Sequence, residues 1–213
     1  MLNLDLPTLI TRILTLLIAF SVHEFSHAWV ANSLGDDTPR SMGRLTLNPL
    51  AHLDVMGSLL LLVAGFGWAK PVPINPYALR RRSPSALMWV SLAGPASNFV
   101  LAMLAAIPLR AGLIPYSQPG KLLPTPFSFL IEFIAINLLL MLFNLLPIAP
   151  LDGDKIAEYF LPSSWANTLE RIRPYGPIIL MVLLFGLPLV GLDVIGRVIT
   201  PVQNTLLRLL IGV

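Results

Sequence analysis

Ile13-Leu14-Thr15-Leu16-Leu17-Ile18-Ala19-Phe20-Ser21-Val22-His23-Glu24-Phe25-Ser26-His27 is the stretch on which the reading of this chain turns. It sets an H-E-x-x-H sequence inside an apolar run that continues through Ala28-Trp29-Val30-Ala31. On a helix, residues i and i+4 share a face, so the imidazoles of His23 and His27 can reach one metal ion. Glu24 is then placed to take a proton from a water beside that metal. H-E-x-x-H in a soluble helix is often a chance pentapeptide. Three ionisable residues inside a spanning segment are costly unless they face a partner or a cavity, which favours a metal site here.

The rest of the chain fits that apolar setting. Its 213 residues are 55% hydrophobic and 12% charged, against roughly 25% charged for an ordinary soluble domain. The expected fold is an all-α polytopic membrane protein, a single domain over residues 1–213. A spanning helix needs about 20 mostly apolar residues. Four segments qualify: 8–33, 86–109, 128–148 and an accessory span over about 174–197. The apolar run 55–69, broken by glycines, is too short to span and is expected to be re-entrant. Around it, the region 43–76 is expected to form a small membrane-associated β-hairpin or sheet. Gly43-Arg44-Leu45-Thr46-Leu47-Asn48-Pro49 alternates polar and apolar with period two, and Lys70-Pro71-Val72-Pro73-Ile74-Asn75-Pro76 suits an extended edge.

Composition also excludes. There is no cysteine, hence no disulfide, thiolate zinc site or cysteine nucleophile. A net charge of +3 without a basic cluster gives no sign of nucleic acid. The N-terminus lacks a basic n-region and a cleavage site, so it reads as a retained helix rather than a signal peptide. Basic residues set the orientation. Arg40, Arg44, Lys70, Arg80, Arg81 and Arg82 lie in the 34–85 connection, and Lys155, Arg171 and Arg173 in 152–173. The 110–127 connection holds only Arg110 and Lys121. The first two connections are expected to be cytoplasmic and, with four spans, both termini outside.

Two histidines leave a catalytic zinc site one protein ligand short. The extended motif H-E-x-x-H-x-x-G-x-x-H fails, with Val30 and Ser33 at its last two positions. The remaining candidates are His52, Asp36, Asp37, Asp54, Glu132, Asp152 and Asp154. His27 lies toward the cytoplasmic end of its span. Glu132 is roughly 20 residues, about 30 Å of helix, from Asp152 and so belongs near the opposite surface. Asp152 matches the depth best. Pro147 and Pro150 before it break the helix, and Gly153 after it permits close backbone approach.

The context Asn144-Leu145-Leu146-Pro147-Ile148-Ala149-Pro150-Leu151-Asp152-Gly153 makes the likeness specific. Together with the H-E-x-x-H it resembles the site-2 protease family of intramembrane metalloproteases. Gly35-Asp36, Gly43-Arg44-Leu45-Thr46-Leu47-Asn48-Pro49 and Ala93-Gly94-Pro95-Ala96-Ser97-Asn98 extend the resemblance over residues 15–160. It implies one Zn2+ per chain on His23, His27 and Asp152, with Glu24 as general base. It further implies a three-helix catalytic core of the spans 8–33, 86–109 and 128–148. The implied activity is cleavage of a transmembrane helix of a single-span membrane protein near its cytoplasmic end, in regulated proteolysis. The expected location is a bacterial or archaeal-type cell membrane. The PDZ or nucleotide-sensing module of some relatives is not expected in residues 1–213.

Other residues invite secondary roles. Asn98 and Asn144 are expected near the metal, as substrate or oxyanion contacts or as an interhelical hydrogen bond. His52 is a loop histidine or a partner of the metal ligands, and Arg44, Leu45, Thr46, Leu47 and Asn48 are the candidate edge for an added substrate strand. Glu132 and Asp193 are expected at the outer surface. Gly94-Pro95 eases helix packing or opens a path between spans. A metal-binding membrane protein without proteolysis, a carrier or an inactive scaffold, is the competing reading. A carrier would show several intramembrane acids and paired repeats, and this sequence shows one metal cluster and no repeat.

Overall fold

The computed structural model describes residues 5–54, 57, 69–118, 120 and 122–212. Its long elements are α1 (Leu6–Ser33), α2 (Pro76–Arg82), α3 (Ala86–Arg110), α4 (Pro126–Asn144), α5 (Asp152–Phe160), α6 (Ser163–Leu189) and α7 (Val194–Ile211). Local chemistry sets their ends. Asp5 caps α1 by accepting from Thr8 N at 2.9 Å, with Pro7 in the first turn. Beyond Leu34, Gly35 takes φ +90°, a conformation that glycine adopts without strain. Thr125 and Ser128 form a reciprocal capping box at the start of α4. Asp193 caps α7 through Gly196 N at 2.8 Å.

Among the described residues, five helices are long and apolar enough to cross a membrane: α1, α3, α4, α6 and α7. The chain is thus a multi-pass membrane protein. α1, α3 and α4 pack together at the centre. Ala102 and Ala106 of α3 meet Ile134, Leu138 and Met141 of α4 in one buried cluster, small residues allowing the backbones to approach closely. α7 lays Leu206, Leu207 and Leu210 against it. A second cluster joins Ala31 of α1, Leu79 of α2 and Leu87 and Val90 of α3. The outward faces carry exposed Leu14, Ile18 and Leu104, as lipid contact requires.

Three expectations change. The sequence offered four spans, and the structure has five candidates. The accessory segment 174–197 divides: α6 ends at Leu189, and α7 starts anew at Val194. Arg197, Gln203, Asn204 and Arg208 interrupt α7's apolar run, which hid it from a search for uninterrupted stretches. The 128–148 span stops at Asn144, because Pro147 and Pro150 end the helix.

The third change concerns 43–76. No sheet forms among the described residues; an isolated antiparallel bridge joins Leu53 and Ala69. Arg44–Asn48 is irregular backbone with a bend at Leu45 and Thr46, not an edge strand. The reason is the buried guanidinium of Arg44, which turns inward to donate to the carbonyl oxygens of Ala51 and Pro71. Thr46 O is taken by His52 Nε2 at 2.8 Å, and Thr46 Oγ1 accepts from Asn48 N. The period-two pattern thus marks inward anchors of a compact loop. The expected re-entrant run 55–69 lies, but for Gly57 and Ala69, outside the described residues.

Candidate metal centre

α1 presents His23, Glu24 and His27 toward α3 and α5, all three buried. α3 comes so close that a Cβ on Gly94 would collide with the imidazoles of both His27 and His23. α4 ends at Asn144, and residues 145–151 turn the chain so that Asp152 opens α5 beside the two histidines. Gly153 is required there, since its missing Cβ is the room taken by the carbonyl oxygens of Leu145 and Leu146.

The donor atoms converge. His23 Nε2 and His27 Nε2 are 3.0 Å apart. Asp152 Oδ2 stands 3.2 Å from the first and 3.3 Å from the second.

Hydrogen bonding around the histidines fixes which nitrogens face inward. His27 Nδ1 lies 2.7 Å from Val90 O, which can only accept, so Nδ1 carries the proton. His23 Nδ1 lies 2.6 Å from Asn98 Oδ1. That amide's orientation is set by a relay: Asn98 Nδ2 donates to Asn137 Oδ1 at 3.0 Å, and Asn137 Nδ2 donates to Phe133 O at 2.9 Å. Phe133 O can only accept, so each amide in the relay has one orientation, and His23 too is protonated at Nδ1. In the neutral imidazoles both Nε2 atoms therefore offer lone pairs, and Asp152 Oδ2 faces them without a hydrogen-bond partner.

Three electron-pair donors this close repel unless a cation sits among them. The two histidine–aspartate separations, 3.2 and 3.3 Å, lie close to the edge of a tetrahedron built on zinc bonds of about 2.0–2.1 Å, which is about 3.3–3.4 Å, and the His23–His27 separation of 3.0 Å is somewhat shorter. Two imidazoles and one carboxylate are also a donor set that zinc takes in hydrolytic sites. The residues present thus fit a zinc ion.

Glu24 sits one residue from the first ligand, and its Oε2 accepts from Val72 N at 3.1 Å. Glu24, the three candidate ligands and Asn144 line one cavity of about 920 Å3. Its walls are apolar side chains of α1, α4, α6 and α7, among them Phe20, Leu140, Leu180 and Leu184. At its other end Arg12 and Glu132 form an ion pair at 2.8 Å. Glu132, expected at the outer surface, lines the end of the cavity away from the candidate ligands.

The remaining sequence candidates divide. Asn98 is completely buried and serves His23 and Asn137. Asn144 lines the cavity and donates to Leu140 O at 3.0 Å. His52 is buried in the loop against Thr46 O and is not among the converging ligands. Asp154, the rival for Asp152, pairs instead with Arg173 at 2.7 Å. Asn137 was missed, although an asparagine inside an apolar span is a signal in itself.

No family model matches the chain, and no solved structure does. Curated proteins match over most of its length, and five carry the name "Putative zinc metalloprotease". YwhC of Bacillus subtilis is 39% identical over 92% of this chain and 89% of its own. Rip2 of Mycolicibacterium smegmatis is 34% identical over 79% of this chain and 64% of its own. MJ0611 of Methanocaldococcus jannaschii is 29% identical over 89% of this chain and 81% of its own. With the paired motifs and the converging donors already described, these likenesses place the chain: it belongs to the family of these zinc metalloproteases, in keeping with its resemblance to the site-2 proteases.

Proposed function

We propose that this chain is an intramembrane endopeptidase. It hydrolyses a peptide bond within or near the cytoplasmic end of the transmembrane helix of a single-span protein, in regulated intramembrane proteolysis. The observation that carries this reading is the placement of Glu24 and the three converging donors in an apolar cavity between spanning helices.

His23, His27 and Asp152 hold the zinc. When bound, the ion supplies Lewis acidity, lowering the pKa of a water toward about 7 and polarising a carbonyl. Glu24 takes the proton of the attacking water and passes it to the leaving amine. The Nδ1 protons pinned by Asn98 and Val90 O keep both imidazoles from turning. Leu139, Leu140, Leu180 and Leu184 give apolar substrate side chains a dry surface. Asn144 uses one amide proton on Leu140 O, and its second is free to bind a substrate carbonyl.

The active site faces the cytoplasm in this reading. His27 lies six residues before the end of α1 at Ser33, about 9 Å along the axis, on the side of Arg40, Lys70, Arg80, Arg81 and Arg82. Reconstitution with a panel of single-span membrane proteins tests the function. Wild-type protein should cleave at least one of them, and Glu24→Gln should bind zinc and cleave none. Cleavage by Glu24→Gln at the wild-type rate would end the protease reading.

A further inference from the structure

Apart from Asp154, which Arg173 holds, two charged side chains outside the metal centre are almost fully buried among the described residues: Asp36 is 2% exposed and Arg44 is 6% exposed. Burial of such groups is costly and calls for partners. Each has one of its partners on a single segment, residues 70–75, which runs beside the cavity as neither helix nor strand. Arg44 forks between Ala51 O and Pro71 O, the latter at 3.1 Å. Asp36 Oδ2 accepts from Asn75 N at 2.6 Å, while its Oδ1 accepts from Thr38 N at 3.0 Å. Lys70 N donates to His52 O at 2.7 Å. The segment is thus fastened near its start by Arg44 and the 52–70 bond, and at its end by Asp36.

Between these fastenings the sequence is Pro71-Val72-Pro73-Ile74. Proline has no backbone N–H, so Val72 and Ile74 supply the two amide donors of the four. The Val72 donor goes to Glu24 Oε2. A carboxylate on a flexible three-torsion side chain, set in an apolar cavity, gains both a fixed orientation and a needed partner from such a bond.

We infer that Arg44 and Asp36 are positioning residues, which hold residues 70–75 so that the Val72 N–H orients the Glu24 carboxylate. This rests on the reading of Glu24 as general base. The prolines on either side of Val72 fit the role, because they stiffen the backbone and leave no competing amide at the adjacent positions. Arg44 suits it better than lysine would, since one guanidinium bridges two carbonyls in a fixed fork and an ammonium does not.

The direct test replaces Val72 by its α-hydroxy acid, which keeps the side chain and exchanges the N–H for an ester oxygen. Turnover should fall at least about tenfold, a part of the 10²–10⁴ that a general base contributes. KM and zinc content should stay at wild-type values. Arg44→Lys should show the same kcat-selective loss. Hydrogen exchange supplies a readout apart from activity: the Val72 amide should exchange faster in Glu24→Ala than in wild type. Unchanged kcat in the ester variant would overturn the inference. So would a rise in KM alone, which would make the segment a substrate contact, or an unchanged Val72 exchange rate in Glu24→Ala. Failure of the general-base reading itself would show separately, as wild-type cleavage by Glu24→Gln.

Discussion

At the scale of single residues, the centre depends on one missing methyl group and on one relay of amides. A Cβ at Gly94 would enter the space of both imidazoles. Overpacking of this kind typically costs about 1–3 kcal/mol, and here the shift falls on metal ligands. Gly94→Ala is expected to keep its helical circular dichroism while zinc per chain, measured by atomic absorption, falls well below wild type. Asn137 acts at one remove, holding Asn98, which holds His23. Asn137→Leu keeps the volume and ends the relay, and chelator competition should report zinc affinity lower by about 10–100-fold. His23, Glu24 and His27 were legible because their spacing is a helical repeat. Asp152 was legible as a depth match, with alternatives that only its sequence context narrowed. Asn98 was legible as polar but not as to its partner, since a sequence does not say which neighbour a side chain faces. Val72 was illegible, because it contributes a backbone N–H that no side-chain pattern records.

At the scale of elements, the breaks matter as much as the helices. Pro147, Pro150 and Gly153 were readable as a helix end, and they put Asp152 at the head of α5. The 43–49 segment misled because alternation describes any chain whose side chains point in and out by turns, and Arg44 points in. α5 is held to α6 by charge: Arg173 contacts Asp154 at 2.7 Å and Glu158 at 2.6 Å, and Arg80 of α2 reaches Glu158 at 3.1 Å. Burial works against ionisation of Glu158, but Arg173, Lys155 and Arg80 together hold its carboxyl below the ordinary value. A lowered carboxyl adds stability above its unfolded pKa, about 4.3 for glutamate, and that stability is lost as pH falls through the lower folded value. The group is partly exposed, so the effect is at most about 1 kcal/mol. The melting temperature in detergent should therefore be insensitive to this group from pH 7 to about pH 5 and drop as the pH falls below about 4. Arg173→Met should lower it at pH 7 and reduce the drop.

At the scale of the whole molecule, the number of crossings decides where the chain ends. Four spans put the C-terminus on the side opposite the 34–85 connection, and five put it on the same side. The fifth helix, α7, was hard to see because its polar residues are spaced around an amphipathic helix that packs on the α3–α4 cluster. The natural chain has no cysteine, so single introduced cysteines report sidedness cleanly. Cysteines at position 37 and at position 212 should be labelled from the same side of sealed vesicles. The cavity gives the second whole-molecule feature. It runs from the metal centre to the Arg12–Glu132 pair between α1 and α4, so ionisable groups stand at both ends of an apolar chamber. Sequence alone placed those two residues in separate spans and had no means of pairing them.

The central claim is that one zinc ion sits between His23, His27 and Asp152. X-ray absorption at the zinc edge of the purified full-length chain tests it most directly. The expected spectrum is one zinc per chain with two imidazole nitrogens and carboxylate oxygen at about 2.0–2.2 Å, unchanged in Glu24→Gln and absent in Asp152→Ala. A first shell with one imidazole or none, or an unchanged spectrum in Asp152→Ala, would contradict the account.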